Sequence, residues 1–169
     1  MLSAIFLALA YILPFLTRQI PQVGAMLCPL HIPVIICGFV CGWKYGLVVG
    51  FIVPLLRSLT LGMPPLFPTA TAMAFELATY GFVAGLMYNI LPRTKVYIYL
   101  SLIVAMVLGR VIWGIAMLTC MGINNTPFSF TAFISGAVIN ALPGIILQIV
   151  LIPIIIMTIE KLRKTKESI

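Results

Sequence analysis

Three ionisable side chains lie inside long apolar runs of this sequence, where an unpaired charge is costly. They are Glu76, Arg57 and Arg110, and Glu76 is the only acidic residue before position 160. A buried ion is tolerated only with a partner, so one arginine is expected to neutralise Glu76. The other arginine then remains to bind an anionic ligand, because a guanidinium makes a two-pronged match with a carboxylate. These residues predict a binding site for a small acid.

The roles of the two arginines are open at this point. Arg110 is the first candidate for the ligand carboxylate, Arg57 is either the partner of Glu76 or a second anchor, and the two assignments are interchangeable. A structural alternative exists for the same residues. In it, a Glu–Arg pair locks two helices together and the second arginine extends toward the membrane surface. Ionisable groups inside a membrane are usually functional, which favours the binding interpretation.

Two aromatic side chains accompany these charges. Trp113 lies three residues after Arg110, and Tyr80 lies four residues after Glu76. Residues three or four apart share a helix face, so each ring is expected beside its charged neighbour. Both rings are predicted to form an aromatic wall for an organic ligand. For Trp113 the alternative is a place in the aromatic belt at the membrane surface.

Uncharged polar groups interrupt the same apolar runs at Asn140, Gln148 and His31. Asn140 is predicted to help orient the ligand, and Pro143 shortly after it is expected to kink the helix and open space beside the amide. His31 stands between two nearby prolines. It is therefore either a ligand contact or a residue that starts a helix.

The composition requires lipid as the solvent for this chain. Hydrophobic residues make up 63% of its 169 residues, charged residues only 8%, and its mean hydropathy is +1.23. In a soluble domain about a quarter of all residues are charged, and their side chains cover its surface. We therefore predict an all-α integral membrane protein, built as a single membrane domain over residues 1–169.

Apolar runs predict a bundle of six transmembrane helices, because a helix needs about 20 apolar residues to cross the hydrocarbon core. The predicted spans are residues 1–16, 30–42, 46–61, 69–91, 96–119 and 130–160. The second run is too short to cross upright on its own. The first run lacks the basic start and the cleavage site of a signal peptide, so we interpret it as a membrane helix.

The lysines and arginines predict the orientation of the bundle. With both termini in the cytoplasm, Lys44, Arg93, Lys95 and the basic cluster after position 160 all lie inside. Only Arg18 then lies in an outer loop, as the positive-inside rule prefers. The internal charges, the amide and the histidine then converge on the outer half of the membrane, which predicts a pocket open to the outside. The net charge of +7 does not indicate nucleic-acid binding, because no basic face with interleaved aromatics is present.

Small residues recur at a spacing of four, which lets helix backbones approach closely in lipid. The positions are Gly38, Gly42, Gly46 and Gly50 in the second and third spans, Gly81 and Gly85 in the fourth, and Ala4 and Ala8 in the first. Their simplest role is packing between helices.

Sequence motifs of common enzyme classes are absent. The chain has no GxxxxGK[ST] for ATP, no HExxH and no GxSxG. Its four cysteines show no CxxC spacing, so no metal site is predicted, and a bond between Cys28 and Cys120 is left open. We expect no enzyme activity and no cofactor, which favours a binding or transport subunit.

Several of these features belong together in one known family. The chain has about 170 residues, six predicted spans with both termini inside, a long loop after the first helix, and an A-x-x-x-A motif from Ala4 to Ala8. With these features it resembles the substrate-binding S-components of energy-coupling factor (ECF) vitamin transporters. The segment LHIPVIICGFVCGWKYGLVVGFIVPLLRSLTLGMPP (30–65) is similar to the corresponding stretch of a vitamin-specific subgroup.

The resemblance implies a subunit that captures a vitamin or related nutrient from outside with high affinity. It implies docking on a membrane coupling subunit that carries two cytoplasmic ATPases, with Ala4 and Ala8 at the docking surface. It also implies that the loop over residues 17–29 acts as a lid, with Gln19 and Gln22 as ligand contacts. Transport in this family proceeds by toppling of the whole subunit in the membrane.

We expect a multi-pass protein of a bacterial plasma membrane that binds an anionic vitamin such as pantothenate or nicotinate. The alternative is a carrier that works alone and is coupled to protons through Glu76. A third class, a structural membrane subunit, predicts no response to any ligand.

Overall fold

A computed structural model describes residues 1–17, 29–92, 94–123 and 142–167. Within these ranges the chain forms six α-helices and no β-strand, so the predicted all-α class is confirmed. The helices are α1 (Leu2–Thr17), α2 (His31–Cys41), α3 (Trp43–Leu61), α4 (Thr71–Ile90), α5 (Lys95–Ile123) and α6 (Leu142–Glu167), with a short π-helical segment, Leu66–Ala70, before α4. Six residues named above, Arg18, Gln19, Gln22, Cys28, Arg93 and Asn140, lie outside the described residues.

Within the described ranges, four helical segments are long and apolar enough to cross a membrane. They are Trp43–Leu61, Leu66–Ile90, Lys95–Gly122 and Pro143–Leu162. At 1.5 Å per residue the 29 residues of α5 measure about 43 Å, which exceeds the roughly 30 Å hydrocarbon core. The apolar parts of α1 and α2 are shorter, at Leu2–Pro14 and His31–Cys41.

The short helix α2 and the helix α3 are separated by one residue. Gly42 has a φ of 95°, in the left-handed region that favours glycine, and an added Cβ would meet no described atom within 4 Å. Gly42 therefore allows the backbone to turn between α2 and α3, and it does not have the role in helix packing that its spacing predicts. α3 begins at Trp43, earlier than predicted, because Gly42 alone makes the break expected over the whole GWKYG link. Residues 31–39 are all buried, so protein and not lipid surrounds α2.

Glycines bring the backbones of α2, α3 and α4 into direct contact. A Cβ placed on Gly46 would lie 2.6 Å from the carbonyl oxygen of Gly81, and one placed on Gly85 would lie 2.6 Å from that of Gly38. Gly50 abuts the backbone of α4 in the same way. No side chain fits at these separations, so the packing role predicted for the small residues is confirmed at these five glycines.

The described lysines lie at one end of the bundle. A small cavity there is lined by the first residues of α1 together with Cys41 and Tyr45, so α1 begins beside the α2–α3 junction. α4 runs antiparallel to α3, which brings the end of α4 and the start of α5 to the same end. Lys95 and Lys161 line a second cavity there, between the start of α5 and the end of α6. We call this end, which also carries Lys44, the basic end.

The opposite end contains the start of α2, the end of α3 and the start of α6, and we call it the site end. The positive-inside rule predicts that the basic end faces the cytoplasm, which would turn the site end outward. The three ionisable residues of the apolar runs all belong to the half of the bundle nearer the site end.

In the part of the chain that the structure describes, two apolar clusters form the core, one on each side of the central helices α2 and α4. The first joins α2, α4, α5 and α6 and includes Ile35, Tyr80 and Ile152. The second joins α1, α2, α3 and α4 and includes Val34 and Leu77. Both clusters contain residues of α4, so a polar side chain that points from α4 into the core is surrounded by protein.

Candidate functional site

Glu76 is buried between α4 and α5 and is contacted by two donor side chains. It lies in the second turn of α4, with 1% of its surface exposed. The Tyr80 hydroxyl donates a hydrogen bond to Glu76 Oε1 at 2.9 Å, and Arg110 Nη1 lies 3.1 Å from the same oxygen. A carboxylate only accepts hydrogen bonds, so a hydroxyl and a guanidinium are suitable partners for it.

Two features of the sequence place these donors. Tyr80 follows Glu76 by four residues on α4, so the two side chains share one helix face. Gly109 precedes Arg110 on α5, and a Cβ at Gly109 would overlap the Tyr80 ring. The glycine therefore leaves the space that this ring fills, and it allows α5 to approach α4 closely enough for Arg110 to reach the carboxylate.

His31 completes the cluster from α2, where it is the first helical residue. It is 4% exposed, and its Nε2 lies 3.6 Å from Glu76 Oε1, just beyond hydrogen-bond distance. Its ring centroid lies 5.2 Å from that of Tyr80, with the planes tilted by 53°. Neither ring nitrogen has a hydrogen-bond partner among the described residues. His31 is thus both a helix-start residue and a neighbour of the buried carboxylate.

The ion pair balances the charge within the cluster. The side chain of Glu76 is 2% exposed and that of Arg110 is 21% exposed, so the guanidinium is the member that reaches the surface of the site. A buried ion pair offsets its desolvation only with good geometry and additional hydrogen bonds. The bond from Tyr80 supplies one of these to Glu76.

An apolar cavity of about 600 Å³ opens beside this cluster, between α5 and α6. Arg110 and Tyr80 are its polar lining residues, and its apolar wall includes Met106, Val107, Val111 and Ile115 of α5 and Ile145 and Ile149 of α6. A cavity of this size, mostly apolar with a few convergent polar groups, is typical of sites for small organic molecules.

The second arginine lies on the other side of the central helices. Arg57 on α3 is 9% exposed, and its Nη1 donates to the carbonyl oxygen of Tyr11 on α1 at 3.2 Å. The Tyr11 hydroxyl and the Thr60 hydroxyl are also hydrogen-bonded, at 3.0 Å. The described partner of Glu76 is therefore Arg110, while Arg57 ties α1 to α3.

Comparison with known families identifies the kind of protein to which this site belongs. A family model described as ECF transporter, substrate-specific component, matches residues 1–156. The chain belongs to this family. No match was found among curated proteins or among solved structures. The resemblance seen in the sequence is thereby confirmed, and the chain is the substrate-specific subunit, or S-component, of an ECF importer.

Family membership fixes the broad setting of the S-component. Its apolar helices and its family make it a multi-pass membrane protein. The family is one of transport components and not of enzymes, and membership implies association with an ECF module and with a substrate.

The structure of the S-component brings together four of the residues predicted to bind substrate, namely Glu76, Tyr80, Arg110 and His31. Arg57 is turned toward α1. Trp113 is partly buried one turn beyond Arg110 and does not belong to the described lining of the cavity.

Two features of this site were not predicted from the sequence. Tyr80 is a hydrogen-bond donor to Glu76 as well as an aromatic surface, although the four-residue spacing carried that signal. The apolar wall on α6 around Ile145 and Ile149 was also missed, because only the register between α5 and α6 reveals it. Among the described residues, no three His, Cys, Asp or Glu side chains cluster in a way that could hold a metal ion.

The predicted docking residues lie on an outer face of the S-component. Ala4 and Ala8 are exposed on α1, and so are the larger apolar side chains of Ile5, Leu9 and Ile12. This face is therefore open to lipid or to a partner helix. On α5, Cys120 is a buried free thiol.

Proposed function

We propose that this S-component captures a small, anionic, water-soluble vitamin or related nutrient from outside with high affinity, for ATP-driven uptake. Pantothenate and nicotinate are the leading candidates. The observation that carries the proposal is the position of Arg110, a cationic side chain in the lining of an otherwise apolar cavity of about 600 Å³.

A ligand carboxylate suits Arg110 in particular. A guanidinium has five N–H donors in a planar fork, so it is able to bind Glu76 and a ligand carboxylate at the same time. The Tyr80 ring and the apolar wall would then cover the organic part of the ligand.

The orientation of the bundle supports capture from outside. The basic end carries Lys44, Lys95 and Lys161, and the positive-inside rule assigns such an end to the cytoplasm of a bacterial plasma membrane. The cavity then lies in the outer half of the membrane. Gln19 and Gln22, in the loop expected to act as a lid, would close over the ligand, and Asn140 and Trp113 would orient it.

Release into the cell requires partners with an energy source. We propose that these are a membrane coupling subunit and two cytoplasmic ATPases of the ECF module. The exposed face of α1 around Ala4 and Ala8 supports this docking, because small side chains let a partner helix approach closely.

The proposal is tested by ligand binding to the purified S-component. Any ligand retained from the expression host is identified by mass spectrometry, and the emptied protein is then titrated with each acid and with its neutral analogue. The matched pairs are nicotinate with nicotinamide, and pantothenate with pantothenol. We expect saturable thermal stabilisation by one acid and none by its neutral analogue. Stabilisation by the neutral member alone would contradict the carboxylate role of Arg110.

A further inference from the structure

The larger cavity at the basic end has a volume of about 780 Å³ and lies between the start of α5 and the end of α6. This volume is within the range of about 300–1,000 Å³ that is common for ligand sites. Lys95 of α5 and Lys161 of α6 both line it. Among the described residues neither lysine lies within salt-bridge distance of a carboxylate, since the contacts of that kind all involve Glu76. Two like charges in one cavity attract an anion.

Glu160 is the one acidic residue in the described lining of this cavity, and it is bonded to α4. The Tyr88 hydroxyl donates a hydrogen bond to Glu160 Oε1. Two lysines and one ionised carboxylate give the described lining a net charge of +2 − 1 = +1. A ligand with a single negative charge would therefore neutralise the cavity.

The α6 side of the cavity changes from apolar to basic toward the end of the helix. Ile154, Met157, Thr158 and Lys161 line it in that order, at a spacing that puts them on one helix face. From Ile154 to Lys161 the helix rises about 10 Å, at 1.5 Å per residue. Ile154 is 51% exposed, so the apolar part faces outward and not into the core. A ligand in this cavity would contact apolar side chains on one side and the two ammonium groups on the other.

The cavity lies at the level of the lipid head groups in a membrane. Lys95 begins the apolar segment Lys95–Gly122, and Lys161 lies next to the end of Pro143–Leu162. Lysines at the ends of spanning helices extend their ammonium groups to the membrane surface. Basic pockets between membrane helices on the cytoplasmic side bind anionic head groups, and the positive-inside rule assigns the basic end to that side.

We propose that this cavity binds an anionic phospholipid. In this site Lys95 and Lys161 bind the head-group phosphate, and Ile154 and Met157 contact the first carbons of an acyl chain. The inference goes beyond the proposed function, because it uses neither Arg110 nor the substrate cavity. A free phosphate would leave the apolar part of the cavity uncovered, and a zwitterionic lipid would leave its net positive charge unbalanced.

The test measures the melting temperature of the purified, delipidated S-component in detergent. It is titrated with phosphatidylglycerol, with phosphatidylcholine, and with glycerol phosphate, which carries an anionic phosphate without acyl chains. A ligand that binds only the folded protein raises its melting temperature in a saturable way. We expect this response with phosphatidylglycerol and not with the other two compounds.

Lysine variants locate the site. Lys95→Gln and Lys161→Gln should each weaken phosphatidylglycerol binding about fivefold, as measured by native mass spectrometry, because each removes one charge near the head group. Lys44→Gln removes the same charge at the same end of the bundle but outside the described lining, so it is the matched control and should bind as wild type does.

Four outcomes would overturn the lipid site. Equal stabilisation by phosphatidylcholine would mean that the lipid charge is not recognised, and equal stabilisation by glycerol phosphate would mean that the cavity takes a free phosphate. An equal loss in Lys44→Gln would indicate only a diffuse attraction to the basic end. Normal lipid binding by the Lys95 and Lys161 variants, with uptake lost in vesicles that contain the ECF module, would assign the cavity to a partner protein. None of these measurements includes the vitamin, so failure of the proposed function would not alter them.

Discussion

Arg110 and Glu76 form an ion pair between α5 and α4, with Nη1 3.1 Å from Oε1, and the carboxylate is the more deeply buried member. The sequence left two interpretations of such a pair, a lock between helices and a ligand site. The structure joins the two helices through this contact and also places Arg110 on the wall of the cavity. Arg110 therefore has a structural contact and a proposed binding contact, which have to be separated by experiment.

Arg110→Ala should remove binding of an anionic ligand. It deletes the cation in the lining of the cavity, and we expect at least a hundredfold loss of affinity by isothermal titration. It also leaves the Glu76 carboxylate buried without its cation, which should lower the free energy of unfolding by about 3 kcal/mol. A fall in melting temperature should accompany the loss of binding.

The double variant Glu76→Gln with Arg110→Ala separates these two effects. It removes the unpaired Glu76 charge, so most of the fall in melting temperature should be reversed, while ligand binding stays lost. Binding by the double variant at wild-type affinity would show that Arg110 does not hold the ligand. Lys95→Ala, at the basic end, serves as a charge-matched control and should bind as wild type does.

Gly109→Ala should disturb the site without replacing any of its polar side chains. The added methyl group would overlap the Tyr80 ring, so that ring or α5 has to shift. Overpacking of this kind costs about 1–3 kcal/mol, and displacement of Tyr80 should weaken ligand binding as well. Gly122→Ala on the same helix is the control, because a Cβ there meets no described atom within 4 Å. Equal melting temperatures for the two variants would contradict the close approach of α5 to α4.

These contacts mark the limit of what the sequence could predict. Composition and apolar runs were enough to predict the all-α class. The free-energy cost of a buried charge was enough to predict an arginine beside Glu76. The choice between Arg57 and Arg110 depends on how each helix is rotated about its axis. On α5, Gly109 packs against the Tyr80 ring of α4, and a pattern within one helix does not show such a contact with another. The apolar wall on α6 depends on the same inter-helix register.

The α1 face gives a prediction about transport that is independent of the cavity. Ala4→Trp or Ala8→Trp adds a large ring on an exposed face far from Arg110, so ligand binding by the purified protein should stay unchanged. Uptake in vesicles that contain the complete ECF module should fall at least tenfold, because a partner helix can no longer approach closely. Leu59→Trp, at an exposed apolar position on α3, is the matched control and should transport normally. Normal uptake by both alanine variants would rule out docking through this face.

Glu76 provides the test against a carrier that works alone with protons. Such a carrier has to load and release a proton at a membrane carboxylate, so Glu76→Gln would abolish its uptake. In the ECF importer Glu76 supports Arg110, and its amide can still accept the bonds from Tyr80 and Arg110. We therefore expect Glu76→Gln to keep ligand affinity within about tenfold of wild type, since only the charge assistance of these bonds is lost. Vesicles containing the wild-type S-component alone should show no uptake under an imposed proton gradient, and uptake should appear when the ECF module and ATP are supplied. Gradient-driven uptake by the S-component alone, lost in Glu76→Gln, would favour the proton-coupled carrier and contradict the ATP-driven mechanism.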